Sequence, residues 1–338
     1  MQTASPVLSD AGIEELAREH FGLHGKAEWL WGEKDSNHRL TLEDGRTVLV
    51  KVLNPGELPA TTSMHSQALL HVARVDPGIP VQRIVPALNG APDIRIPAPD
   101  GGTRAVRVVT FLAGQALSTA RHSAAQRRNI GLMIARMQQA LASFEHPSSA
   151  HKITWDMTHS PELRAVFGCF DDGDERALLA DCLDLFEEQV LPRLSLLPAQ
   201  VIHNDFNSEN ILIDPADMNR VSGIIDFGDM VHAPRAFDVA VAATYILDNE
   251  SEPVDAVFDM FDGYAGVASL TRPEIESLYP CMLARLVMRL AIPSWRASLF
   301  PDQAERLLRK HGLVRRSLNR MRDFGQAAFT ARCAAIFE

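Results

Sequence analysis

The chain is short of cysteine, of long apolar runs, of positive charge and of glycine-rich phosphate signatures, and each shortage removes a class of answer. Its 4 cysteines, Cys169, Cys182, Cys281 and Cys333, stand far apart without a C-x-x-C pair. Neither a zinc site nor a disulfide framework is indicated, and a reducing compartment suits them. The most apolar later stretches, FDVAVAATYIL (237–247) and MLARLVMRLAI (282–292), are too short or carry arginine, so no membrane span is expected. The opening MQTASPVLSDAGIEELAREHFG lacks a basic start followed by an apolar stretch. It reads as a helix capped by Ser9 or Asp10 and stopped at Gly22, so no secretory leader is expected and a cytoplasmic place is. With 33 Lys+Arg against 43 Asp+Glu the formal net charge is -10, which argues against a nucleic-acid or anionic-membrane partner. A cationic or zwitterionic small partner is compatible with it. Neither G-x-G-x-x-G nor G-x-x-x-x-G-K-[ST] occurs, so the glycine pattern gives no nucleotide signal.

What is present is enough for a large core: 338 residues with 46% hydrophobic content suggest two domains or a two-lobed one. Residues 27–111 read as short strands, AEWLW, HRLTL, TVLVKVL, RIVPAL and RAVRVVTFL, interrupted by one helix over about 61–74. Helices dominate from about residue 122, where Ile130, Met133, Ile134, Met137 and Leu141 share one face. Further helical runs are expected near 174–192, 235–247, 252–266, 273–292 and 302–335, the last broken near Gly312. The Pro/Gly/Asp-rich stretch 89–104 reads as hairpin turns. These features predict an α+β protein with a small β-rich lobe over 1–114 and a larger, mainly helical lobe over 115–338.

The chemistry concentrates in VIHNDFNSEN (201–210), followed at once by ILID and shortly by GIIDFGD (223–229). If ILID and SGIID pair as a hairpin, the carboxylate of Asp205, the amide of Asn210 and the carboxylate of Asp226 converge. Mg²⁺ needs few protein oxygens when a substrate supplies phosphate oxygens and water the rest. Asn210 and Asp226 then suffice as ligands, and Asp205 is left to accept a proton. In TVLVKVL the side chains alternate, so Lys51 sits with Leu49 and Leu53 on the face opposite Val48, Val50 and Val52.

The order His203, Asp205, Asn210 and then Asp226-Phe227-Gly228 resembles the His-x-Asp-x-x-x-x-Asn and Asp-Phe-Gly of the protein-kinase-like superfamily. It is similar to the aminoglycoside phosphotransferase and choline kinase group, the hydroxylysine kinase and homoserine kinase-like members in particular, over roughly residues 25–300. The resemblance implies a two-lobed protein-kinase-like fold and a small-molecule kinase. Asp205 would orient and deprotonate the attacking hydroxyl, Asn210 and Asp226 would hold Mg²⁺ on the phosphates of ATP or GTP, His203 would shape the loop, and Asp238 would brace it. Lys51 would meet the α/β-phosphates. Ser36 and Asn37 fall where the phosphate-covering loop sits, and Thr110, Phe111 and Leu112 fall in the hinge that reads the purine. Gln67 stands where protein kinases place the glutamate that pairs with the lysine, and glutamine there is usual in the resembled branch. Asn207 and Asp229 are further substrate-side candidates.

Each piece has a bland reading: His-x-Asp is common as turn or cap chemistry, and Asp-Phe-Gly is an ordinary turn after a strand. Specificity lies in their combination, order and spacing. A metallohydrolase around His203, Asp205 and Asp226 would recruit more histidines than this chain groups together, and a pseudokinase scaffold would have lost a metal ligand or the base. The expected reaction is transfer of a nucleotide γ-phosphate to a hydroxyl of an amino acid or amino alcohol. Hydroxylysine is the leading acceptor, with homoserine, choline, ethanolamine and an aminoglycoside as alternatives.

Overall fold

The computed structural model describes residues 8–32, 35–97, 102–249 and 253–338. Glu33 and Lys34 of the expected phosphate loop, part of the 89–104 turn segment and the start of the 252–266 helix lie outside them. The chain divides into two compact units, one ending at Ala113 and taking in His146–Ser148, the other formed by Gly114–Glu145 and Ser149–Glu338.

The first unit opens with α1 (Asp10–Phe21), whose Ser9 cap accepts from the Gly12 N–H at 3.2 Å. Gly22 ends it at φ 66, and the Leu23 N–H returns to Ala17 O, the left-handed stop that glycine takes without a Cβ penalty. Strands β1 (Gly25–Leu30), β2 (Ser36–Leu42) and β3 (Thr47–Val52), helix α2 (Pro59–Val75), then β4 (Ile84–Val85), β5 (Ile94–Pro97) and β6 (Thr103–Thr110) follow. The sheet is antiparallel in the order β1-β2-β3-β6-β4, with β5 also paired to β6. Alternation sends Val48, Val50 and Val52 to one face, where they pack with Leu40, Val106, Val108 and the α1 residues Ile13, Leu16 and Phe21. Lys51 therefore leaves the opposite face.

In the second unit, β7 (Gln115–Ala116) precedes α3 (Ala124–Leu141), capped by Ser123. The expected stripe is buried at Ile130, Ile134, Met137 and Leu141, with Met133 half-buried. Turns of 3₁₀ helix over 157–169 lead to α4 (Gly173–Gln189), β8 (Ala199–Ile202), β9 (Ile211–Asp214), β10 (Asp217–Ile224), β11 (Val231–Pro234), α5 (Ala236–Ile246) and α6 (Pro253–Ala265). Then come α7 (Arg272–Leu299), α8 (Ala304–Leu308), α9 (His311–Phe324) and α10 (Gln326–Phe337). The long run expected over 302–335 breaks at 309–310, near Gly312 as expected, and again at Gly325, φ 81. Helices α3 and α6 meet at glycines, since a Cβ at Gly131 would overlap Met260 O and one at Gly263 would overlap Arg128 O. Two small ladders complete the unit, β10-β9-β7 and β11-β8, and they frame the loops that carry the chemistry.

Candidate active site

Strand β8 delivers the chain into 203–210, and β9 takes it away. Between them Asn204 adopts φ 64, a left-handed conformation that asparagine tolerates better than most residues. That turn points two consecutive backbone N–H groups at one acceptor: Asp238 on α5, wholly buried, receives His203 N–H at 3.1 Å and Asn204 N–H at 2.6 Å. Burial pushes the Asp238 carboxyl up to about 7 against these two bonds, which favour its anion. His203 is a buried wedge. Its Nδ1 accepts the Asp205 N–H at 3.2 Å, which leaves Nε2 as the donor to Ile225 O at 3.1 Å. Its ring stacks on Phe206 at 4.5 Å and meets the edge of Phe227 at 4.9 Å, so it shapes the loop.

Asp205 is gripped from both sides. Its Oδ2 accepts the amides of Asn207 at 2.9 Å and Asn210 at 2.7 Å, and Asn210 Nδ2 also reaches Asp205 O at 3.0 Å. Its Oδ1 faces Arg285 Nη2 at 3.5 Å. Arg285 lies on α7, is 1% exposed, donates to Trp155 O at 3.0 Å and stacks on the Trp155 ring at 4.7 Å. Burial, then the Asp229 charge, pushes the Asp205 carboxyl up to about 6, while Arg285 and the Asn207 amide pull it down and Asp226 adds a smaller upward push. A carboxylate titrating there is matched to accepting a proton near neutral pH.

Asn207 is absorbed by the loop. Its Oδ1 accepts the N–H groups of Glu209 at 2.7 Å and Asn210 at 3.1 Å, an Asx turn that fixes the amide aimed at Asp205.

The pairing of β9 with β10 puts Ile211 opposite Ile224, and the Ile225 N–H donates to Asn210 O at 3.0 Å. Asn210 and Asp226 thus flank the same end of the ladder. Asp226 is exposed at φ 61, and its Oδ1 accepts the Gly228 N–H at 3.3 Å. A Cβ at Gly228 would come within 3.1 Å of that oxygen, so glycine leaves the carboxylate room. Because the Asn210 NH₂ is used on Asp205, its carbonyl oxygen could serve a metal, and together with the Asp226 carboxylate it would make an all-oxygen pair suited to a hard cation. Among the described residues no group of three His, Cys, Asp or Glu side chains forms a cage, so a cation held here would take its remaining oxygens from phosphate and water.

In the first unit, Asn37, Lys51 and Arg107 are direct neighbours across β2, β3 and β6 and share a face. Ser36 does not join them. Its buried hydroxyl contacts His38 Nε2 at 3.1 Å, and His38 Nδ1 meets Asp10 at 2.9 Å. Consecutive strand residues point to opposite faces, so Ser36 and Asn37 do not both face a phosphate with their side chains. Gln67 is exposed on α2, and among the described residues a carboxylate, that of Asp35, stands 3.4 Å from Lys51 Nζ. Thr110 spends its hydroxyl and N–H on the backbone of Arg83, each at 2.9 Å, and the Phe111 N–H donates to Thr47 O at 3.2 Å. Phe111 and Leu112 are half-buried.

Residues 30–270 match the family described as APH, the phosphotransferase enzyme family, a span that includes Lys51, Asp205, Asn210 and Asp226. The chain belongs to the APH phosphotransferase family. It is similar to hydroxylysine kinase of Mus musculus, 25% identical over 350 residues that cover 96% of this chain and 92% of that protein. It is also similar to homoserine kinase of Methylobacillus flagellatus, 28% identical over 289 residues that cover 81% and 80%. A solved microcompartment-associated aminopropanol kinase superimposes with TM-score 0.72 at 17% identity, covering 95% of this chain and 99% of that one. That likeness shows the fold, the α+β kinase-like architecture. APH membership makes the chain a phosphotransferase with an alcohol acceptor and a nucleotide donor.

Two residues of this APH chain escaped the sequence reading. Arg285 was visible only as an arginine inside an apolar helix, a signal that here marks a buried polar contact. Asp35 sits just before β2 and gave no signal of its own.

Proposed function

We propose that this APH enzyme is a cytoplasmic small-molecule kinase that transfers the γ-phosphate of ATP or GTP, with Mg²⁺, to the hydroxyl of a hydroxylated amino acid or amino alcohol, 5-hydroxylysine being the foremost acceptor. The observation that carries the reading is Asp205, whose Oδ2 is pinned by the two asparagine amides while Oδ1 is steadied by Arg285. Such a carboxylate is aimed before the acceptor arrives. Phosphoryl transfer has a loose transition state, so positioning and charge stabilisation supply most of the rate, and Asp205 orients the hydroxyl and takes its proton late. Mg²⁺ held by Asn210 Oδ1 and Asp226, when bound, neutralises charge on the phosphate oxygens. Lys51 supplies a further cation to the phosphates, and Phe111 and Leu112 offer backbone groups to the purine. The names of the two sequence relatives, hydroxylysine kinase and homoserine kinase, support an amino-acid hydroxyl as acceptor. Asp229, near enough to Asp205 to raise its carboxyl, suits the ammonium of such a substrate. Among the described residues no helix is long and apolar enough to cross a membrane.

The test is nucleoside diphosphate release with Mg²⁺ and ATP or GTP over 5-hydroxylysine, homoserine, choline, ethanolamine and an aminoglycoside. Release that requires a hydroxylated amino acid supports the proposal. Release that requires only the aminoglycoside, or none with any acceptor, contradicts the assigned substrate class.

A further inference from the structure

Lys51 and Arg107 stand directly opposite each other in the β3–β6 ladder, so two cations leave the sheet side by side. Like charges in that position repel, and Arg107 is 5% exposed, so this face needs carboxylates. The structure divides them. Arg107 occupies α2, where its Nε donates to Ser66 Oγ at 2.9 Å and its Nη2 to Thr62 O at 2.7 Å. Ser66 in turn donates to Asp93 Oδ2 at 2.8 Å, and the Glu57 carboxylate receives Thr62 Oγ1 at 3.1 Å and lies 3.4 Å from His65 Nδ1. The helix surface that would offer Lys51 a counter-charge is thus used by the arginine, and Gln67 beside it is exposed.

Lys51 finds its carboxylate elsewhere. Asp35 Oδ2 is 3.4 Å from Lys51 Nζ, with both side chains mostly buried, and Asp35 Oδ1 accepts the Asn54 N–H at 3.0 Å. One oxygen therefore fixes Asp35 to the chain just beyond β3, and the other holds the ammonium. Gly32 packs closely on these residues, since a Cβ there would overlap the Asn37 side chain and Asp35 O. We propose that Asp35 is the positioning residue for Lys51, doing from the position just before β2 what protein kinases do with a glutamate on the following helix. The inference rests on the reading of Lys51 as the lysine of the nucleotide phosphates. A lysine stem is long and rotamer-rich, and the Asp35 contact restricts that freedom before the nucleotide binds.

The experiment measures nucleotide affinity with Mg²⁺ and kcat/KM for the nucleotide, in the full-length protein, for Asp35→Asn, Asp35→Glu, Lys51→Met and Asp35→Asn/Lys51→Met. Asn keeps a carbonyl oxygen for the Asn54 N–H, so the loop anchor survives while the charge goes. The expected result is a fall of about 10-fold or more in kcat/KM, about 1.4 kcal/mol, with acceptor KM unchanged, partial recovery in Asp35→Glu, and no further loss from Asp35→Asn once Lys51 is Met. Unchanged or tighter nucleotide use in Asp35→Asn overturns the proposal, and so does an equal loss in the Lys51→Met background, which would assign the effect to loop structure. A wild-type protein that binds no nucleotide overturns the functional reading beneath it, and that failure is seen before any substitution is made.

Discussion

Asn210 Nδ2 stands 2.7 Å from Asp205 Oδ2, so one amide joins the proposed proton acceptor to the proposed metal donor pair. The two functions are mechanically linked and chemically separable. Asp205→Asn leaves the Asn210 carbonyl and Asp226 in place while removing the base. Transfer is expected to fall by roughly 10²–10⁴-fold, with equilibrium nucleotide binding in Mg²⁺ nearly unchanged. Parallel turnover and calorimetric titrations check it, and normal turnover would refute Asp205 as the base.

Asp226→Ala removes the exposed carboxylate and should abolish the gain in nucleotide affinity that Mg²⁺ brings, leaving metal-free affinity as it was. Titration with and without Mg²⁺ reads this directly. An undiminished Mg²⁺ effect would take the ligand role away from Asp226.

The pH profile carries the sign of the electrostatics. With the Asp205 carboxyl pushed up to about 6, transfer that needs its anion should rise with pH through that value. Asp229→Asn removes a like charge, so the carboxyl ionises more easily and the acid limb of kcat/KM shifts to lower pH. Arg285→Gln removes a stabilising cation and shifts it to higher pH. Rate profiles of the three proteins decide, and shifts in the opposite directions would contradict the arrangement.

Asp238 holds the loop through the N–H groups of His203 and Asn204. Asp238→Ala leaves two buried donors unpaired, at about 1–3 kcal/mol each, whereas Asp238→Asn keeps an acceptor oxygen and should cost less. Denaturant midpoints give the comparison, and equal costs would count against the acceptor role.

Gly131→Ala should destabilise the second unit by about 1–3 kcal/mol or more, because its Cβ would collide with the backbone oxygen of Met260, which a side chain's flexibility cannot relieve. A melting temperature like that of the wild type would show that α3 and α6 adjust freely.

How much of this was legible follows from how local each feature is. The α+β class came through because period-2 and period-3.6 patterns are written in adjacent residues, and α1 with its Ser9 cap and Gly22 stop is a local signal throughout. The spacing of His203, Asp205, Asn210 and Asp226 also lies within one short stretch, closed by a hairpin whose strands follow each other. Other features depend on distant partners. The β8–β11 pairing, the grip of Asp238 and the approach of Arg285 each join residues far apart in the chain, and β5 hid in a segment rich in turn formers. Ser36 is different, because strict alternation beside Asn37 already places the two on opposite faces. Lys51 shows the limit of carrying a pattern across: the helix position was filled by Gln67, but a carboxylate that meets the ammonium is Asp35's, which periodicity does not mark.

The most direct test of the central claim is a single comparison of wild type with Asp205→Asn, each given Mg²⁺, ATP or GTP and 5-hydroxylysine, with the acceptor followed by mass spectrometry and ³¹P NMR. The account predicts that the wild type places one phosphoryl group on the hydroxyl and that Asp205→Asn, still binding nucleotide, does not. Phosphorylated acceptor in equal yield from both proteins would contradict it.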